Sequence, residues 1–159
     1  MAKLRHYTWW LGVSVFLQLF TGLLHSLSFF NNPKPGNETE EQLLMLMQSY
    51  QMNMGSGFSP TMLDLMNSMS IAFVLLLLSG GVVIWFLLVK KTNPAVMKGI
   101  SLIYTITYLI CFIAMLFLAF LPPVVMTGLI MVSLMIAYLL NRSNKTVSWI
   151  WQNFTLLIN

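Results

Sequence analysis

The stretch WWLGVSVFLQLFTGLLHSLSFF, Trp9 to Phe30, decides how this chain is read. It carries no Asp, Glu, Lys or Arg across 22 residues. At 1.5 Å per residue a helix of that length covers about 33 Å, enough to cross a hydrocarbon core with slight tilt. Trp9 and Trp10 stand where an interfacial aromatic belt belongs. Three more apolar runs follow, at about 61–89, 98–120 and 124–140. The whole chain is 58% hydrophobic and 8% charged, against roughly 25% charged in a soluble domain. The expected fold is therefore all-α: a four-helix transmembrane bundle, with 1–159 as a single integral membrane domain.

The few charges are sorted. Glu38, Glu40, Glu41 and Asp64, the only acids, lie between the first two apolar runs. Lys3, Arg5, Lys90, Lys91, Lys98, Arg142 and Lys145 flank the other ends, and only Lys34 joins the acids. Short loops rich in Lys and Arg stay cytoplasmic. Both termini are thus expected inside and the 31–60 segment outside, as in a protein of the bacterial inner membrane. The net charge of +4 points to anionic lipid headgroups as partners, not to nucleic acid. Ala2 to Arg5 supplies a basic start, but the run behind it is too long for a cleaved signal, so the first span is expected to stay as an anchor.

Between spans one and two the chain breaks at Asn31-Asn32-Pro33-Lys34-Pro35-Gly36. Asn37 then reads as an N-cap with Glu40 at the third helical position. Leu43, Leu44, Met47, Tyr50 and Met54 recur at helical spacing, predicting an extracytoplasmic amphipathic helix of about 15 residues that is too short to span. Gly55-Ser56-Gly57 ends it. Ser59 and Pro60 read as the cap and first turn of the next helix. Gly80-Gly81 suits a close helix crossing, Lys90 to Pro94 a cytoplasmic turn, and Leu121-Pro122-Pro123 an external one. Residues 147–159, with Trp149, Trp151 and Phe154, read as an interfacial tail. Asn37-Glu38-Thr39 fits a glycosylation acceptor, which matters only in a glycosylating host.

Ser14, Gln18, Thr21, His25 and Ser28 recur every three or four residues of the first span, so all five share one helix face. Polar groups left in lipid are costly, so this face is expected to turn inward. It reads either as a polar seam toward a binding pocket or as interhelical hydrogen bonding that holds the helices together; such bonds contribute about 0.6 kcal/mol each. His25 is the one side chain in the spans suited to moving a proton or holding a ligand. Asp64 opens the second long helix on the same side, which makes a His25–Asp64 contact an expectation. Ser101, Tyr104, Thr105 and Tyr108 form a second polar face on the third span, read mainly as packing with satisfied hydroxyls.

Seven of the thirteen methionines lie between Met45 and Met69. Thioethers are soft ligands that select Cu(I), but Met45 and Met47 fall on nearly opposite faces of a helix. Met62, Met66 and Met69 do share a face. Flexible methionines also line adaptable apolar walls, and Met47, Met62 and Met66 are read in that role.

Several activities are argued down. No carboxylate sits mid-span, Cys111 is alone, and no phosphate loop or metal motif appears. No cofactor and no metal are expected.

Gly22-Leu-Leu-His25-Ser, the proline loop after it, Thr39-Glu40-Glu41-Gln42 and Pro60-Thr61-Met62 together resemble a family of small bacterial integral membrane proteins. The resemblance covers roughly the first 85 residues and implies a four-helix plan without an assigned activity. The plan is also similar to that of the DoxX-like proteins and the emopamil-binding sterol isomerases. The latter resemblance would imply buried acids within the spans, which this chain lacks. Claudin-like proteins share the topology, but their paired external cysteines are missing here.

Three functional readings remain. The leading one is a non-enzymatic membrane protein binding a lipid-like or other apolar small molecule near the outer leaflet, through Ser14, Gln18, Thr21, His25 and Asp64, with Met47, Met62 and Met66 as walls. The second is an accessory subunit packed on a membrane protein partner or on copies of itself. The third is a small enzyme using His25 as acid or base on a lipid-like substrate.

Overall fold

Three helices of this chain begin at residues whose side chains satisfy backbone groups that a helix end leaves open. The computed structural model describes residues 6–30 and 34–142. It contains α1 (Tyr7–Ser26), extended by a 3-10 turn (Leu27–Phe30), then α2 (Glu38–Ser49), α3 (Met62–Val89), α4 (Pro94–Leu118) and α5 (Leu121–Leu140). The described residues hold no strand, only an isolated antiparallel bridge between Gln51 and Thr61. With its 3-10 extension α1, and likewise α3, α4 and α5, is long and apolar enough to cross a membrane. The basic start at Lys3 and Arg5, the Asn31-Asn32-Pro33 breaker, Lys145 and the tail expected at 147–159 lie outside the described residues.

The cap expected at Asn37 forms. Its Oδ1 accepts from Glu40 N at 2.9 Å, while Glu40 Oε2 accepts from Gly36 N at 2.6 Å. The helix it opens is shorter than the periodicity suggests, 12 residues ending at Ser49. From there the chain folds into a narrow hairpin. Met52 N donates to Pro60 O, and Met54 N to Phe58 O. Gly55, Ser56 and Gly57 turn it with φ of 80°, 54° and 83°. Glycine at both flanks makes a run of three left-handed residues accessible, and the turn pairs Met52 and Met54 with the returning chain where the periodicity predicts more helix.

Proline behaves differently from the sequence reading at three helix starts. Pro60 belongs to the hairpin, and Thr61 caps α3. Thr61 Oγ1 accepts from Asp64 N at 3.1 Å, and Asp64 Oδ2 accepts from Thr61 N at 3.0 Å and from Thr61 Oγ1 at 2.8 Å. This reciprocal box satisfies two orphan donors. Pro94 begins α4 behind the Asn93 cap, ahead of the span expected from about 98, and Asn93 Oδ1 accepts from Ala95 N. Pro122 and Pro123 sit inside the first turn of α5, ahead of the span expected from about 124. At those positions the missing N–H would have had no helical partner.

The chain divides into two compact units, one of residues 1–19 and 79–159, the other of residues 20–78. In the first, α4 and α5 pack antiparallel along each other. Asn141 Nδ2 donates to Pro94 O at 2.8 Å where α5 ends and α4 begins. One turn further in, the Lys98 ammonium lies 5.5 Å from the Tyr138 ring centre. Leu11, Ile84, Met97, Ile130, Leu134 and Ala137 form the fully buried core of this unit. In the second, α1 and α3 run antiparallel. A Cβ on Gly22 would meet Leu78 Cδ2 at 2.9 Å, and three residues on, His25 stacks edge-on with Phe73.

Burial is inverted relative to a water-soluble protein. Ser14, Gln18, Ser101, Thr127 and Ser133 are inside, while Phe16, Leu75, Leu76, Trp85, Phe117 and Leu118 point outward. No more than 28% of the most apolar window of any span is buried inside the protein. Lipid tails accept such outer faces, and polar groups must turn inward. Helix α3, at 28 residues, reaches about 42 Å and exceeds a bilayer core of roughly 30 Å.

Thr61→Ala should remove the α3 cap at a cost of about 1 kcal/mol. Hydrogen exchange at the amides of Leu63 to Leu65 should then accelerate several-fold, with exchange in α5 unchanged. Equal protection in variant and wild type would show that the cap holds nothing.

Candidate functional site

Gln18 is the most constrained polar side chain of the first unit. It is 0% exposed. Its Nε2 donates to Ser14 O at 3.2 Å, and its Oε1 accepts from the Tyr108 hydroxyl of α4 at 3.1 Å. Ser14, one turn earlier and equally buried, donates its hydroxyl to Leu11 O. The amide reaches this place because Gly80 has no side chain. A Cβ there would stand 2.7 Å from Gln18 Oε1 and 3.1 Å from Tyr104 Cε1. A Cβ on Gly81 would press on Leu19 at 3.0 Å. The polar faces of the first and third spans, read separately from sequence, therefore meet in one cluster: Ser14, Gln18, Tyr108 and the ring of Tyr104 around Gly80.

Chemically this cluster is closed. Tyr108 is a hydrogen-bond donor to a neutral amide, and no buried side-chain polar atom among the described residues lacks a partner. Other hydroxyls are satisfied within their own helices: Ser101 on Met97 O, Thr105 on Ser101 O, Thr127 on Pro123 O, Ser133 on Ile130 O. Ser and Thr commonly bond the carbonyl three or four residues back. These groups hold structure together and leave nothing reactive.

The rest of the stripe belongs to the second unit and changes character along its length. Thr21 is buried, His25 is half-buried, and Ser28 is exposed with its hydroxyl on His25 O. The His25 imidazole packs edge-on against Phe73 at 5.5 Å and Phe29 at 6.4 Å between ring centres. Among the described residues its ring nitrogens have no hydrogen-bond partner. The imidazole thus sits beside two aromatic rings in the last turn of an apolar helix, with hydrogen-bonding capacity that no described residue uses.

Asp64 and the methionines stand apart from His25. The Asp64 carboxylate is exposed and engaged by Thr61. It precedes Phe73 by nine residues of α3, about 13 Å along the axis, while His25 lies level with Phe73. Met62, Met66 and Met69 share an exposed face of α3, and Met47 of α2 is half-buried. Among the described residues no group of three or more His, Cys, Asp or Glu is placed to hold a metal ion. Two connections had no signal in the sequence, Gln18 to Tyr108 and Asn141 to Pro94, since each joins residues far apart in the chain. A third did have one: Thr61-Met62-Leu63-Asp64 is a capping-box pattern, masked by the Ser59-Pro60 pair before it.

Gly80→Ala should destabilise the protein by about 1–3 kcal/mol, because the added methyl must displace an amide already fixed at both ends. Tyr108→Phe should cost about 1 kcal/mol by leaving Gln18 Oε1 unpaired in a dry site. Thermal unfolding in one detergent ranks the two, and a Gly80→Ala protein as stable as wild type would contradict the close approach.

Compared with protein-family models, with curated proteins and with solved structures, the chain finds no match, and any functional reading stands on its own residues.

Proposed function

We propose that this chain is a polytopic membrane protein that binds a lipid-like or other apolar molecule near the outer leaflet, with His25 as its main polar contact. The observation that carries this is the His25 imidazole, half-buried between Phe73 and Phe29 with no hydrogen-bond partner among the described residues. Pockets for apolar ligands are mostly hydrophobic, with a few placed polar groups that fix orientation. A carbonyl, hydroxyl or phosphate of an amphiphile would complete the imidazole, while the exposed apolar side chains Leu24, Phe29 and Met69 flank its chain. Thr21 lies one turn deeper on the same face. Ser14 and Gln18 support the helix that presents His25, and Met47, Met62 and Met66 supply adaptable apolar surface on neighbouring segments.

The reading includes an orientation. Both ends of the chain lie in the cytoplasm, α1 carries His25 to the outer side, and residues 31–60 are external. Charge sorting supports this, because all acids fall in one inter-span segment and the basic residues at 90, 91, 98 and 142 fall at the opposite ends. Reporter fusions check it: alkaline phosphatase inserted at Ser56 should be active, and phosphatase fused after Arg142 should be silent. The reverse pattern would sink the orientation and with it an outer-leaflet ligand.

Native mass spectrometry of the protein extracted in mild detergent tests the binding itself. Wild type should carry an adduct of lipid or quinone mass that His25→Ala loses while remaining folded. A bare monomer would refute the ligand, and a stoichiometric larger assembly would place the chain among accessory subunits.

A further inference from the structure

The first unit ends in a cluster of cations with no acid of its own. Lys90 and Lys91 close α3, Lys98 lies in the second turn of α4, and Arg142 follows α5. The packing brings the end of α5 against the start of α4. Asn141, beside Arg142, donates to Pro94 O at 2.8 Å, and Pro94 is three residues beyond Lys91. Lys98, one turn after Pro94, is held over the Tyr138 ring, one turn before Asn141. Every Asp and Glu of the chain lies between residues 38 and 64, inside the other unit.

The height of the cluster along the helix is marked as well. Trp85 and Phe86 are exposed one turn before it, and the Lys90 ammonium lies 5.7 Å from the Phe86 ring centre. Tryptophan facing outward beside lysine is the pattern of a membrane–water interface. An interfacial cluster of Lys and Arg, in a unit whose sequence holds no Asp or Glu, attracts lipid phosphates.

We infer that the α3–α4 turn and the end of α5 form a binding site for the headgroup of an anionic phospholipid. Lys90, Lys91 and Arg142 contact the phosphate, and Lys98, positioned by Tyr138, adds charge from the helix side. The acyl chains run along the exposed apolar faces of α3 and α5, past Trp85 and Leu139. The site lies in the other unit from His25 and does not depend on it.

Native mass spectrometry of the full chain in detergent, with equal amounts of phosphatidylglycerol and phosphatidylcholine added, tests this. Wild type should retain phosphatidylglycerol over phosphatidylcholine, and the triple variant K90Q/K91Q/R142Q should lose that preference by at least about tenfold. The charge-keeping K90R/K91R variant should retain it, and single K91Q should weaken it, which keeps the test readable should the triple variant misfold. Equal retention of the two lipids by wild type, or an undiminished preference in folded K90Q/K91Q/R142Q, would overturn the site. Loss of the preference on adding excess inorganic phosphate would assign the cluster to a free anion and overturn the lipid.

Discussion

A backbone amide or a side-chain hydroxyl in hydrocarbon has no water to fall back on, and four helices long and apolar enough to cross a membrane are built as that constraint requires. The caps at Asn37, Thr61 and Asn93 answer the same need at exposed helix ends, where a side chain accepts from an open backbone N–H. The constraint accounts for the serine and threonine hydroxyls that turn back onto their own helices. It also explains why prolines cluster at helix starts. A residue without an N–H costs nothing where that N–H would have been unpaired.

The same constraint sets the interior. Apolar side chains gain little by moving from lipid to protein, so the inside goes to groups that pack closely or must be paired. Gly80 and Gly81 are the clearest case, since their missing side chains make room for Gln18 and Leu19. Gln18, once inside, needs both of its ends occupied, and Ser14 and Tyr108 supply the partners. One small residue, one amide and one phenol thus tie α1, α3 and α4 together within a single unit.

Function follows from where the constraint is relaxed. Among the polar groups of α1, Ser14 and Gln18 are buried and paired, while His25, in the last turn of the helix, is half-buried beside two aromatic rings. The other unit gathers its Lys and Arg residues at helix ends and has no Asp or Glu in its sequence.

Sequence alone determined the four apolar helices, the cap at Asn37, the segregation of charge and the single polar face of α1. Each is a one-dimensional property, since hydrophobic length, residue sorting and a period of 3.6 can be counted along a chain. The hairpin over residues 51–61 escaped that counting, because Tyr50 and Met54 fit helical spacing, and only the bonds of Met52 to Pro60 and Met54 to Phe58 show the chain turning back. The tertiary structure alone decided which polar residues meet. Gln18 and Tyr108 are 90 positions apart, and nothing in either neighbourhood names the other. It also separated His25 from Asp64, which sequence placed on one side of the membrane. A helix rises 1.5 Å per residue, and depth along it became visible only once Phe73 was seen opposite the imidazole.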